Sequence, residues 1–372
     1  MSRAPVRIPP ECGISLSSPL ALADPYPLYE EMRALAPVVR LGPGGQVAVT
    51  GHDEVAAALD DPVRFAAQRS RGTPAHDVVA RIAREGRNDL SVRAHTRAGH
   101  LVSAWARTGT PDAVDLARRT VAAIVMDILG TPASVQGSRP GEIEAFAAHL
   151  ANPAYGGQRN PAASAAAALY QHEREGDEGV WTDLAHHLGR SRVQREDIRA
   201  ELIRYATADI DAAIASIATT IHLLATHAEQ WHLVRTRRAS AEQAWREAVR
   251  LDPPLRALRR RLTCGTVLGG YGLPAGCDVW LLLGAAGRDP GHWTHTGDQF
   301  RVQRPIPVRT LLIDTAAPGD LTHLAAASVL GALAVRCATV APAAPAVRHP
   351  HPVWRSLACA PLTVSVGAGF SG

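Results

Sequence analysis

Lysine is absent: all 39 of the Lys-plus-Arg positions in this 372-residue chain are arginine. Set against 35 acidic residues, they leave a net charge of +4, too small for nucleic-acid binding through bulk charge, though a local patch stays open. The five cysteines, Cys12, Cys264, Cys277, Cys337 and Cys359, are an odd set with no Cys-x-x-Cys pair. That spacing argues against a zinc knuckle or a disulfide framework, and a reducing, cytoplasmic setting is expected. Apolar runs such as 279–286 fall short of the ~20 residues a membrane span needs. Residues 1–12 hold two arginines and three prolines but no apolar core, so no signal peptide is expected. No Gly-x-Ser-x-Gly elbow, phosphate loop or dinucleotide fingerprint occurs. What is present suits a globular chain: 46% hydrophobic and 20% charged residues permit a sizeable core.

Read along the chain, the sequence is mostly helical with small sheets. Asp24-Pro25-Tyr26-Pro27 starts a helix through Leu35, and Val38–Leu41, a glycine-rich turn and Val47–Thr50 form strand, turn, strand. Gly51-His52-Asp53 opens a helix through Leu59. Residues 68–92 read as polar loop, then 95–105 and 111–129 as helices; 131–180, with its alanine run, reads as helices joined by long loops. A long helical stretch is expected over 199–235 and another over 239–250, stopped by Asp252-Pro253-Pro254. Residues 258–283 alternate as strands, with Gly269-Gly270 as a hairpin turn; 321–335 is helical and 354–366 strand. No fixed-period repeat or clean boundary appears, so one domain over 1–372 is expected, with 1–20 a flexible segment.

Several segments, in this order, resemble a bacterial cytochrome P450, a haem-thiolate monooxygenase. They are Asp24-Pro25-Tyr26-Pro27-Leu28-Tyr29; His95-Thr96-Arg97 with Leu101-Val102-Ser103-Ala104; 223–231; Glu247-Ala248-Val249-Arg250 with its proline stop; Arg260; and Leu283-Gly284-Ala285-Ala286-Gly287-Arg288-Asp289-Pro290. The resemblance implies a mainly α fold with small β-sheets, shortened and with the haem loop replaced. It casts His95 and Arg260 as contacts to haem propionates. The all-arginine composition resembles the codon bias of GC-rich genomes such as those of actinomycetes.

The departures are as informative. The family's haem loop ends in the cysteine whose thiolate ligates iron. Here the stretch 306–320 has no cysteine. Counting back from Leu321 puts Ala316 at the ligand position, and counting forward from Pro305 puts Pro318 there; neither side chain binds iron. On the central helix the oxygen groove maps onto 208–212, where Asp211 keeps the acid, Asp209 replaces glycine and Ala212 replaces threonine. Four residues past His95 the family's arginine is Gly99, and Gln299 stands where an arginine or histidine often completes the network around Glu247 and Arg250. These losses together imply that no haem cofactor is held; His95, Arg260 and Ala316 are then vestigial positions.

Other residues carry weaker signals. Glu247 and Arg250, at i and i+3, share a helix face and suit a core ion pair. Arg256, Arg259, Arg260 and Arg261 suit either an anionic ligand, such as a nucleotide-sugar diphosphate, or a solvated strand rim. His222, His227 and His232 are five apart and rotate about 140° per step, so they do not converge on a metal and no metal site is expected. In an emptied cavity Asp211 would act as an acid–base group, with His95. The resemblance extends to haem-less P450-like auxiliary proteins of antibiotic glycosyltransferases. It implies a non-catalytic helper that activates or stabilises a deoxysugar glycosyltransferase partner, with no nucleic-acid or membrane partner; residues 15–60 and 306–320 are the candidate contact surfaces. Two alternatives remain: a cofactor-independent cyclase or isomerase using Asp211 and His95, and a module docking a tailoring enzyme onto a synthase.

Overall fold

The structure is a computed structural model, and it describes residues 6–42, 45–67, 87–129, 210–306 and 320–367. In chain order its helices are α1 (Pro19–Ala23), α2 (Tyr26–Leu35), α3 (His52–Asp60), α4 (Arg87–Trp105), α5 (Ala113–Leu129), α6 (Ile210–Thr226), α7 (Ala228–Arg235), α8 (Ala241–Leu251), α9 (Leu283–Ala286), α10 (Pro290–Trp293) and α11 (Asp320–Arg336). The strands are β1 (Glu11–Cys12), β2 (Val38–Leu41), β3 (Gln46–Val49), β4 (Phe65–Ala66), β5 (Leu258–Leu262), β6 (Thr266–Leu268), β7 (Tyr271–Leu273), β8 (Asp278–Leu281), β9 (Cys337–Pro342), β10 (Val347–Arg348), β11 (Leu357–Cys359) and β12 (Leu362–Val366). The mainly helical reading with small sheets therefore holds. The expectations for 68–86, 131–180, 199–209 and 307–319 fall outside the described residues.

The chain groups into two compact units, one built from 1–70, 246–315 and 348–356, the other from 71–245, 316–347 and 357–372. The first is organised by a mixed six-stranded sheet in the order β1-β2-β3-β8-β5-β4. Its central strands are apolar at successive positions, so the period-2 alternation of side chains sends apolar groups to both faces. Val38, Val47, Val49, Val279 and Leu281 pack on one face with Val55 and Ala58 of α3. Val39 and Ala48 pack on the other with Tyr26, Tyr29 and Met32 of α2. Gly269 and Gly270 take φ values of +56° and +84° between β6 and β7, the two-residue turn that matches strand twist. Residues 6–20, expected as a flexible segment, are tied down: β1 pairs in parallel with β2, Arg7 bridges to Tyr271, and Ser18 caps α1.

The second unit is a helical assembly. Helix α6 is apolar nearly all round, and 213–221 are buried, as such a sequence requires. Its expected continuation to Arg235 breaks at His227. There Thr226 Oγ1 donates to the His222 carbonyl, and the His227 ring bonds the Leu223 carbonyl at 2.8 Å, which closes the helix end with local side chains. Helix α4 begins at Arg87, so 87–92 are helix rather than loop, the weak helix propensities of Asn88, Asp89 and Ser91 notwithstanding. The expected single strand over 354–366 splits into β11 and β12 around Pro361, which has no N–H to give a ladder. Helix α8 is opened by a capping box: Ser240 Oγ accepts from Gln243 N (3.0 Å) and Gln243 Oε1 accepts from Ser240 N (2.7 Å).

Candidate functional site

Glu247 and Arg250 lie on one face of α8 and are buried, at 0% and 5% exposure. Arg250 Nε and Nη2 donate to the two carboxylate oxygens at 2.7 and 2.8 Å, a bidentate pair. Arg250 also donates to the carbonyls of Gly287, Gly297 and Gln299. The position read as a departure at Gln299 does not leave the network open. Arg304 Nε donates to Glu247 Oε1 at 3.1 Å, the Arg301 backbone N–H donates to the same oxygen at 2.9 Å, and Gln299 contributes its carbonyl. Both carboxylate oxygens thus accept from donors, three on Oε1 and one on Oε2, which is the pairing a buried charge requires. The geometry is that of a buried core ion pair.

A second buried centre has no counterpart in the sequence reading, where Asp252 was only the first residue of a helix stop. Its carboxylate accepts from Tyr26 Oη (2.5 Å), Arg355 Nε (2.7 Å) and Arg348 Nη2 (2.6 Å). The Arg288 guanidinium stacks 3.2 Å from the Tyr26 ring centre. Burial alone would raise the Asp252 pKa, but Arg348, Arg355 and the tyrosine hydroxyl outweigh it, so the carboxyl is held below its usual range. Burial beside that carboxylate pushes the Tyr26 hydroxyl up. No motif signals this cluster, because its members come from four separate stretches; the Asp-Pro-Pro step after an amphipathic helix was the sole hint.

The vestigial positions are arranged differently from the resemblance's expectation. His95 is exposed on α4; its Nδ1 bonds the Ser91 carbonyl at 2.7 Å and lies 3.3 Å from Ser328 Oγ of α11. Gly99, one turn on, faces the same helix. The Arg336 guanidinium of α11 lies 2.6 Å from where a Gly99 Cβ would be, and its Nε donates to Ser103 Oγ at 2.8 Å. An arginine from another element thus occupies the space beside the position where the resemblance expects one. Arg260 sits on β5 and donates to the Arg259 carbonyl at 3.1 Å. The proposed arginine cluster does not converge on a ligand. Arg259 and Arg261 both pair across the sheet with Asp278, and Arg256 is buried with its donors on the carbonyls of Ala21, His351 and Pro352.

Asp211 lies in the first turn of α6 and keeps solvent-accessible surface, while desolvation by the protein around it raises its pKa. Among the described residues no hydrogen bond or ion pair links it to His95. Asp209 and Ala316 fall outside the described residues. The thiols offer no replacement iron ligand in the loop, since none of the five lies between Pro305 and α11. Burial raises Cys277 and pushes Cys337 up to about 11, so both stay protonated thiols. This donor set does not fit a thiolate-ligated haem.

A cavity of about 420 Å³ opens beside the N-terminal segment, between 12–17, Trp280 and 352–353. Its lining includes Ser15, Leu16, Ser17, Leu41 and Gln46 of the candidate contact surface 15–60, and none of the candidate catalytic or haem-site positions. No described helix is long and apolar enough to cross a membrane.

Residues 239–314 match the family model for Cytochrome P450. Over 184 residues the chain is 31% identical to Protein AknT of Streptomyces galilaeus, a match covering 48% of this chain and 41% of that one. Over 131 residues it is 34% identical to Protein DesVIII of Streptomyces venezuelae, covering 34% and 32%. Among solved structures, substrate-free cytochrome P450 CYP150A6 of Mycobacterium marinum superposes with a TM-score of 0.75 at 18% identity, over 96% of this chain and 99% of that one. The chain therefore has a cytochrome P450-like fold.

Proposed function

We propose that this protein is a haem-less, non-catalytic auxiliary protein of antibiotic biosynthesis that binds a deoxysugar glycosyltransferase and stabilises its active conformation. One observation carries the reading: on a P450-like scaffold, the stretch between Pro305 and α11 has no cysteine to hold iron. The glycine at position 99, with Arg336 packed over it, supports the same reading from the propionate side. The local similarity to AknT and DesVIII, P450-like proteins of antibiotic biosynthesis, supports the class of pathway. A helper works by binding the active form of its partner better than the inactive one, which needs a rigid scaffold and a partner surface but no cofactor. Of the two candidate surfaces, 15–60 presents Leu20 and Leu35 to solvent, at 72% and 57% exposure. The protein acts in the cytoplasm, as a single P450-like domain.

The alternative, a cofactor-free cyclase or isomerase, needs Asp211 and His95 to work together. It is disfavoured because, among the described residues, no hydrogen bond or ion pair joins Asp211 to His95, whose Nδ1 bonds Ser91 and Ser328 instead. Co-expression with the glycosyltransferase encoded beside its gene tests the proposal. Expected are a co-purifying complex, at least tenfold faster sugar transfer than by the transferase alone, and no haem absorbance. Leu20→Arg with Leu35→Arg should weaken the complex. A haem-loaded protein with a Soret band, or transfer indifferent to its presence, overturns the reading.

A further inference from the structure

We propose that His52, Asp53 and His292 form a binding site for one borderline divalent transition-metal ion, of which zinc is the probe of choice. The three come from distant parts of the sequence, and one donor atom from each lies within 4.8 Å of the others. His52 Nδ1 is 3.1 Å and His292 Nδ1 is 3.5 Å from the same oxygen, Asp53 Oδ1. Ligands about 2.0–2.1 Å from a tetrahedral zinc are themselves about 3.4 Å apart, so both separations are close to those of a loaded site.

The backbone that carries the ligands is fixed. One carboxylate, Asp289, holds both segments: Oδ2 accepts from the His52 backbone N–H at 2.8 Å, and Oδ1 accepts from Gly291 N at 3.0 Å. Arg33 lies 4.0 Å from the same group. Trp293 sets its ring edge-on to both imidazoles, with centres 5.6 and 4.7 Å away, and forms an apolar wall. The two imidazoles stack, with centres 3.4 Å apart and planes 19° from parallel. A metal lies in the plane of each ring that binds it, so loading turns one ring out of the stack. His292, with 36% of its side chain exposed against 14% for His52, is the ring free to turn.

Two imidazoles and one carboxylate select zinc, nickel, cobalt or copper over magnesium and calcium, which take all-oxygen shells. Three protein ligands leave a fourth position for water or for a side chain of another molecule. The ion would pin the start of α3 to α10. Trp293 of α10 also packs 5.1 Å from the Arg250 guanidinium, so the clamp would rest against the Glu247 network. This inference is independent of the proposed partner.

The test is calorimetric titration of the chelator-stripped full chain with Zn²⁺, alongside His292→Gln and Asp53→Asn. Expected are one saturable site per chain, a zinc-dependent rise in melting temperature, no heat from Mg²⁺, and at least tenfold weaker binding in each variant. Zinc-edge absorption should report two imidazole ligands. Asp53 has an 87% exposed side chain, so its substitution carries the test even if His292→Gln disturbs the local fold. No saturable site, or unchanged zinc affinity in both variants, overturns the proposal, the binding in the second case belonging to others of the 16 histidines.

Discussion

Asp252 shows how one buried charge governs stability. Removing one partner of a buried, hydrogen-bonded ion pair costs about 3–5 kcal/mol, because the others are left desolvated and unpaired. Asp252→Ala should lower unfolding free energy by about that amount in urea denaturation, and Tyr26→Phe, which removes a single donor, by about 1–2 kcal/mol. The pH dependence follows from the sign of the shift. The folded-state pKa of Asp252 is depressed. Its contribution is therefore complete above the unfolded value of about 3.9 and fades as pH falls through the folded value. Acid unfolding of the wild type should steepen below about pH 4, and Asp252→Asn should flatten that limb. Two glycines make a contrast. A Cβ on Gly287 would sit 2.1 Å from the Arg250 carbonyl oxygen, which is backbone and cannot yield, so Gly287→Ala should cost about 2–3 kcal/mol. A Cβ on Gly99 meets the mobile end of Arg336, and alanine favours the helix by about 1 kcal/mol. Gly99→Ala should be near neutral in thermal melts.

At the scale of elements, Arg256 joins stretches that have no sheet in common. Its guanidinium serves carbonyls of α1 and of the 351–352 loop, in geometry a planar fork provides and a lysine ammonium does not. Arg256→Lys should cost about 1–3 kcal/mol and speed hydrogen exchange at 348–356 ahead of β3 and β8. Helices α4 and α11 run parallel: His95 meets Ser328 and, eight residues on in both helices, Ser103 meets Arg336. The elements that the sequence revealed best are those whose signals are local. The β6–β7 hairpin follows from Gly269-Gly270, α8 from its capping serine and proline stop, and β2–β3 from alternating valines around glycines. The misplacements have local causes too. The break at His227 depends on side chains bonding back to carbonyls, and periodicity does not carry that information.

For the whole molecule, the order of P450-like segments was legible because each sits in a contiguous stretch, and the superposition over 96% of the chain agrees. The same contiguity makes the missing cysteine legible, so an absorbance spectrum free of a haem band remains the outcome expected at this scale. The sequence by itself determined the mainly helical fold, the Glu247–Arg250 pair and the absence of cysteine from 306–320, since spacing of three or four residues on one helix already decides which groups meet. Only the tertiary structure decided that Arg304 completes the Glu247 network, that Asp252 gathers Tyr26, Arg348 and Arg355, that Arg336 covers Gly99, and that His52 and Asp53 meet His292. Those contacts join residues far apart along the chain. Charged groups that must leave water find partners wherever the packed elements place a complementary donor, and no local pattern encodes that placement.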